Sequence, residues 1–232
     1  MNVAIIAAAG QGQRFGGERA KQFVELCGVP VIVHTLRRFE SCPDIHQVIV
    51  VVPAAESAGF LELTARYGLR KVDRVVPGGV TRFESVNRGF QAIRPATAEV
   101  VAIHDGARPF VRPEEISLTV QAAAEHGAAI LAAPVTDTIK LLGDGGLIST
   151  LDRSKLRRAL TPQCFRYDWL RRGLAAAVNA DSEITDDSTL IEALGEPVQI
   201  VEGGARNIKI TNPEDIAWGE LLLKQVELSD QD

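Results

Sequence analysis

Gly10-Gln11-Gly12-Gln13-Arg14, then Gly16-Gly17 and Lys21, follow directly on the wholly apolar run Val3–Ala9. Such a run is long enough for a buried strand and too short to span a membrane. A buried parallel strand that breaks into glycines delivers backbone N–H groups to the carboxyl edge of a sheet, where open α/β sheets bind their ligands. Glycines let the backbone approach an anion closely, and Arg14 and Lys21 set positive charge beside it. The chemistry this spacing suits is a cradle for a polyphosphate; a solvated loop with ordinary surface charges is the other reading. The dinucleotide fingerprint GxGxxG fails because its third glycine falls at Phe15, and no Gly-Lys-Ser/Thr follows to complete a phosphate loop of the Walker kind.

Four further segments carry residues of the same kind. Gly78-Gly79-Val80-Thr81-Arg82-Phe83-Glu84-Ser85-Val86 puts a Gly-Gly turn before a helix N-terminus, where free N–H groups can bind a carbonyl or phosphate and Ser85 can reach a base edge. A tight turn plus a capping box accounts for the glycines and Glu84 without a ligand. Ile103-His104-Asp105-Gly106-Ala107-Arg108 places an aspartate at the end of an apolar strand, facing the glycine loop. A carboxylate there suits a hard cation such as Mg²⁺, which completes its shell with substrate phosphates; a turn cap is the alternative. His104 reads as a packed structural histidine. Thr185-Asp186-Asp187 suggests metal or acid–base work, or equally a helix cap. Lys209 stands alone in Asn207-Ile208-Lys209-Ile210, where alternation points it away from its apolar neighbours.

The elements that must position these residues alternate along the chain. Strands are expected at Gln47–Val52, Lys71–Val76, Glu99–Ile103, Ala128–Val135 and Val198–Val201. Helices are expected at Val29–Cys42, Ala55–Tyr67, from Thr81 to about Ile93, from Pro113 to about His126, over Tyr167–Val178, and from Asn212-Pro213 onward. Apolar strands between helices predict a doubly wound, mostly parallel α/β sheet. The rhythm breaks at Thr138–Leu142, Gly143-Asp144-Gly145-Gly146 and Leu147–Leu151, a hairpin that should pack against something. No repeat or linker divides the chain, so one domain spanning 1–232 with a projecting arm is expected.

Composition narrows the function classes. The 232 residues are 46% hydrophobic and 24% charged, with a net charge of −5 that argues against nucleic acid and makes any anion site a local cationic pocket. The three cysteines, Cys27, Cys42 and Cys164, are too few and too scattered for a disulfide framework or a zinc site, which fits a reducing cytoplasm. No run reaches membrane-spanning length.

Together the segments resemble the 2-C-methyl-D-erythritol 4-phosphate cytidylyltransferases of isoprenoid biosynthesis. The likeness runs through AAAGQGQRFGGERAKQ, GGVTRFESV, HDGARP, Thr136-Asp137-Thr138, Leu151-Asp152-Arg153, Thr161-Pro162-Gln163 with Thr185-Asp186-Asp187, and Asn207–Thr211. It implies a Rossmann-like nucleotidyltransferase with Arg14, Lys21 and Lys209 as catalytic cations. CTP would contact Ala8, Ala9, Gly10, Gly12, Gly79, Ser85, Asp105 and Ala107, and Asp105 would also hold Mg²⁺. Arg108, Thr136, Arg153 and Thr185 would bind the polyol phosphate. The arm at 136–156 would hook over a second subunit of a homodimer, carrying Thr136 and Arg153 into the partner's pocket. Ala20 and Gly106 depart from the family's usual proline and alanine, and neither change removes a charge. The rivals are a cytidylyltransferase for ribitol 5-phosphate or another polyol phosphate, a dinucleotide-dependent oxidoreductase, and a catalytically silent nucleotide-binding regulator.

Overall fold

A computed structural model describes residues 1–10, 21–94, 97–177, 184 and 186–229, leaving out the side chains of Lys21 and 226–229. Gly12, Arg14 and Thr185 therefore lie outside the described residues, as does the Lys21 side chain. The chain begins with β1 (Asn2–Ala7), then a two-residue hairpin of β2 (Glu25–Leu26) and β3 (Val29–Pro30), then α1 (Val31–Ser41). There follow β4 (Gln47–Val52), α2 (Ser57–Arg66), β5 (Val72–Pro77), α3 (Arg82–Gln91), β6 (Val100–Asp105), α4 (Pro113–His126) and β7 (Ala128–Pro134). The arm holds β8 (Lys140–Leu142) and β9 (Ile148–Thr150). The chain re-enters the body with β10 (Arg157–Arg166), α5 (Tyr167–Ala177), α6 (Thr189–Glu192), β11 (Gln199–Glu202) and α7 (Glu214–Ser229).

Seven strands form one sheet in the order β11-β7-β10-β6-β1-β4-β5. All neighbours are parallel except at β10, which runs antiparallel between β6 and β7 because it returns from the arm. The expected sheet is thus observed, with one reversed strand. Side-chain alternation explains why it is covered on both faces. Ala4 and Ile6 of β1, with Val48, Val50 and Val52 of β4, pack on Ile32, Leu36 and Phe39 of α1. Val3 and Ile5, with Ile49 and Val51, pack on Val86 and Phe90 of α3 and on the α5–α6 pair. Gly89 lets α3 lie against the sheet, for a Cβ there would sit 2.6 Å from Ile5 Cγ2. A third cluster, Leu26, Val31, Phe110, Ile210 and Leu223, anchors α7 and the segment before it.

Helix ends follow local chemistry. Thr81 Oγ1 accepts the Glu84 N–H at 3.1 Å, as a cap should. The Glu84 carboxylate does not complete the box; it accepts from Val80 N–H at 2.7 Å, one residue earlier. Pro113 opens α4, and Gly127 closes it at φ 96°, a left-handed turn that favours glycine. The arm departs from expectation. All six residues of β8 and β9 are exposed, and Leu142, Leu147 and Ile148 are each more than 60% accessible, so the hairpin is left uncovered by the described residues of its own chain. Lys209 lies on a segment that is not a strand, and it still points away from Ile208 and Ile210: the two isoleucines join the third cluster while Lys209 lines a cleft.

Candidate active site

The strand order reverses between β1 and β6: from β1 the chain winds outward through β4 to β5, then crosses back to place β6 on the other side. Ligands of open α/β sheets bind at such a switch point, beyond the carboxyl ends of the strands. A cleft of about 740 Å³ opens there. Its walls are residues 7–10 at the end of β1, residues 78–82 with Ser85 and Arg88 around the start of α3, Asp105 and Ala107 at the end of β6, and Lys209 with Thr211.

Charge converges on Asp105, the last residue of β6. Its Oδ2 lies 2.8 Å from Lys209 Nζ and 3.3 Å from Arg108 Nε, and its Oδ1 lies 3.5 Å from Arg82 Nε. Burial alone would raise this carboxyl; Lys209, Arg82 and Arg108 together hold it well below the usual carboxylate range. Arg82 makes a second, closer pair: Nη1 and Nη2 donate to the two oxygens of Asp187 at 2.7 Å each. Burial opposes the Arg82 charge, but Asp187 and then Asp105 raise its pKa, so it stays a cation. Asp187 is buried to 1% exposure, which pushes its own carboxyl up against the pull of Arg82. Asp186 makes a local turn just before α6, its Oδ1 accepting Ser188 N–H at 2.8 Å. The acidic pair thus divides into a turn residue and an ion-pair partner.

His104 is structural, as its sequence position suggested. It is fully buried, and its Nε2 lies 3.1 Å from the Arg108 carbonyl, which can only accept. The neutral ring is therefore protonated at Nε2 and accepts at Nδ1 from Thr161 Oγ1, 2.9 Å away. Thr161 Oγ1 in turn accepts the Asp105 N–H at 3.2 Å. Burial lowers the His104 pKa to about 4.

The Gly78-Gly79 turn corrects one expectation. Its N–H groups are not free: Gly78 N–H donates to Val52 O, Gly79 N–H to Ser85 Oγ at 3.0 Å, and Val80 N–H to Glu84. Ser85 Oγ donates to Thr81 O at 2.9 Å, and Arg88 Nη1 donates to Gly78 O at 2.7 Å. Three side chains of α3, Glu84, Ser85 and Arg88, thus set this rim. A Cβ on Gly78 would collide with Ala9 Cβ, so the rim and the β1 loop touch through glycine.

A family model described as 2-C-methyl-D-erythritol 4-phosphate cytidylyltransferase matches residues 2–225. The chain belongs to that family. A protein of the same description from Pelotomaculum thermopropionicum is 46% identical over 95% of this chain and 93% of its own length. One from Geobacillus kaustophilus is 44% identical over 95% and 96%. Among solved structures, a 4-diphosphocytidyl-2C-methyl-D-erythritol synthase from Anaerococcus prevotii superposes with a TM-score of 0.86 at 30% identity, covering 96% of each chain. The 2-C-methyl-D-erythritol 4-phosphate cytidylyltransferase from Thermus thermophilus superposes with a TM-score of 0.78 at 33% identity, covering 95% of this chain and 98% of that one.

Of the residues picked out in the sequence, Ala8, Ala9, Gly10, Gly79, Ser85, Asp105, Ala107 and Lys209 line one cleft. Arg108 does not; its guanidinium is spent on Asp105 and on the Asn207 carbonyl at 3.0 Å. Thr136 and Arg153 meet each other at the base of the arm, Arg153 Nη1 donating to Thr136 O at 2.6 Å, away from the cleft of their own chain. The sequence pattern did not single out Arg82 or Arg88, and the partner of Arg82, Asp187, is 105 residues away. Gln22, next to Lys21, is 2% exposed and its Nε2 donates to the Ala8 and Gly10 carbonyls, tying down the start of the glycine loop. A polar residue beside a loop lysine gave no signal of burial.

Proposed function

We propose that this chain transfers a cytidylyl group from CTP to 2-C-methyl-D-erythritol 4-phosphate, giving 4-diphosphocytidyl-2-C-methyl-D-erythritol and pyrophosphate. The placing of Lys209, Arg82 and Arg88 in the lining of the switch-point cleft carries this reading, because it sets local positive charge into a protein of net charge −5. The rim at residues 78–85, with Ser85 in the lining of the cleft, is where the base edge of cytosine is read in this proposal.

The acceptor's phosphate oxygen attacks the α-phosphorus of CTP, one P–O bond forms, and the bond to the β-phosphate bridge breaks. A phosphate monoester, with a second pKa near ~6, is already largely a dianion at neutral pH, so no general base is needed. His104, buried and hydrogen-bonded through both ring nitrogens, is not placed to act as one. The enzyme's task is to bring two polyanions together and to stabilise charge on the equatorial and leaving oxygens. Lys209 exchanges Asp105 for the α-phosphate, and Arg14 and Lys21 take the rest of the triphosphate. Among the described residues no group of three acidic, histidine or cysteine side chains could enclose a metal. Asp105 fits Mg²⁺ in the way that ion is usually held, by one carboxylate with phosphate and water completing the shell. A bound Mg²⁺ would neutralise phosphate charge there.

The working unit in this reading is a homodimer. The exposed Leu141, Leu142, Leu147 and Ile148 of the arm need cover, and Thr136 and Arg153, outside their own cleft, reach the polyol phosphate in a partner's. The cytoplasm is its compartment, in keeping with three free cysteines. No helix among the described residues is long and apolar enough to cross a membrane. The test is pyrophosphate release with CTP, ATP, GTP and UTP against several polyol phosphates, with and without Mg²⁺. Turnover should need CTP, methylerythritol phosphate and the metal; equal turnover with ribitol 5-phosphate would overturn the acceptor, and preference for UTP would overturn the rim.

A further inference from the structure

The segment that presents Lys209 has no ladder of its own. Residues 203–212, between β11 and α7, are neither strand nor helix, so individual bonds must hold them. Ile210 N–H donates to Ala107 O at 2.8 Å on one side of Lys209. On the other side the holding falls to Asn207. Its side chain is 1% exposed, and Nδ2 donates to the Thr161 carbonyl at 2.8 Å, across 46 residues. Its own carbonyl accepts Arg108 Nη1 at 3.0 Å, which fixes the arginine that leans on Asp105.

Thr161 is therefore tied to both members of the Asp105–Lys209 pair. Its hydroxyl accepts the Asp105 N–H, and its carbonyl takes Asn207, two residues before the lysine. Asn207 does not line the cleft, and its Oδ1 is the one buried side-chain oxygen or nitrogen without a partner among the described residues. Only the donor half of the amide is in use. That rules out an apolar role and asks for an N–H at that position.

We propose that Asn207 is a positioning residue: it fixes Lys209 and Arg108 relative to Asp105 by clamping their shared segment to Thr161. This rests on the reading that Lys209 contacts the α-phosphate. Asn207→Asp keeps the volume and replaces the donor with an acceptor facing a carbonyl; Asn207→Ala removes the group. Both are assayed below their melting temperatures for kcat and KM with CTP, beside Lys209→Ala and the double variant Asn207→Ala/Lys209→Ala. A lysine displaced by about 1 Å can cost on the order of 10²-fold, so each Asn207 variant should lose ~10–10²-fold in kcat, with a smaller change in KM. Once Lys209 is gone, Asn207→Ala should cost clearly less than it does in the intact enzyme, the remainder being its hold on Arg108, because coupled residues are not additive. Multiplicative losses in the double variant, or normal kcat in both Asn207 variants despite lower melting temperatures, would overturn the proposal. If one variant does not fold, the other supplies the same cycle. Normal kcat in Lys209→Ala alone would sink the Lys209 reading and this role with it; additive losses beside a crippled Lys209→Ala sink only the role of Asn207.

Discussion

Replacing Arg82 with methionine keeps an unbranched stem and deletes the charge that faces Asp187. The carboxylate left behind is 1% exposed and loses both of its 2.7 Å bonds to the guanidinium. Removing one partner of a buried pair costs about 3–5 kcal/mol. The Arg82 side chain is 30% exposed, so solvent screens part of the interaction and about 2–3 kcal/mol is the better expectation. For a chain of this size that corresponds to a melting temperature lower by roughly 4–12 °C. The loss should depend on pH. An Asp187 carboxyl pushed up in the folded state keeps a proton that the unfolded chain releases above about 4, so Arg82→Met should weaken progressively as pH rises from about 4 toward neutrality. Denaturant melts of Arg82→Met, Asp187→Asn and the double variant test this. Asp187→Asn removes the orphaned charge, so the double variant should be more stable than Arg82→Met at pH 7. If Asp187→Asn gives no recovery on that background, the cost lies in packing and the electrostatic account of the pair is wrong.

Further outcomes are expected elsewhere in the molecule. Gly78→Ala should cost about 1–3 kcal/mol, because its Cβ collides with Ala9 Cβ and lies 2.9 Å from Ser85 Oγ. Gly10→Ala meets nothing within 4 Å among the described residues, so unchanged stability with weaker CTP binding, read by calorimetry, would mark direct backbone contact with the nucleotide. His104, with its pKa lowered to about 4, is protonated first in the unfolded chain, so stability should fall as pH drops from about 6.5 to about 4, at up to ~1.4 kcal/mol per unit. His34, also lowered by burial, adds in the same direction, and His104→Gln should flatten the slope measured by urea melts. Arg153→Ala and Lys209→Ala homodimers should each be nearly inactive, yet mixing them with subunit exchange should return about a quarter of normal activity, since about half the dimers are mixed and each has one intact site. An exchanging mixture that stays dead would show that both residues serve one chain's site.

Patterns of short range carried much of this protein in its sequence. Apolar runs such as Gln47–Val52 became the strands, Thr81 and Pro113 started their helices, and Asp105 stood at a strand's carboxyl end because it closes the apolar run of that strand. The residues that line the cleft were visible for the same reason: glycines and charges beside strand ends are local facts. Which charges pair was not local. Arg82 meets Asp187 across 105 residues, Thr161 binds Asp105 across 56, and Asn207 binds Thr161 across 46. The two contacts of Thr161 depend on β10 entering the sheet antiparallel between β6 and β7, a reversal set by the return of the arm and not by any pattern within β10. The N–H groups of the Gly78-Gly79 turn taught the same lesson at shorter range. Glycines showed that the backbone could present donors to a ligand, but only the packing of α3 against the sheet decided that Ser85 and Glu84 would take them first.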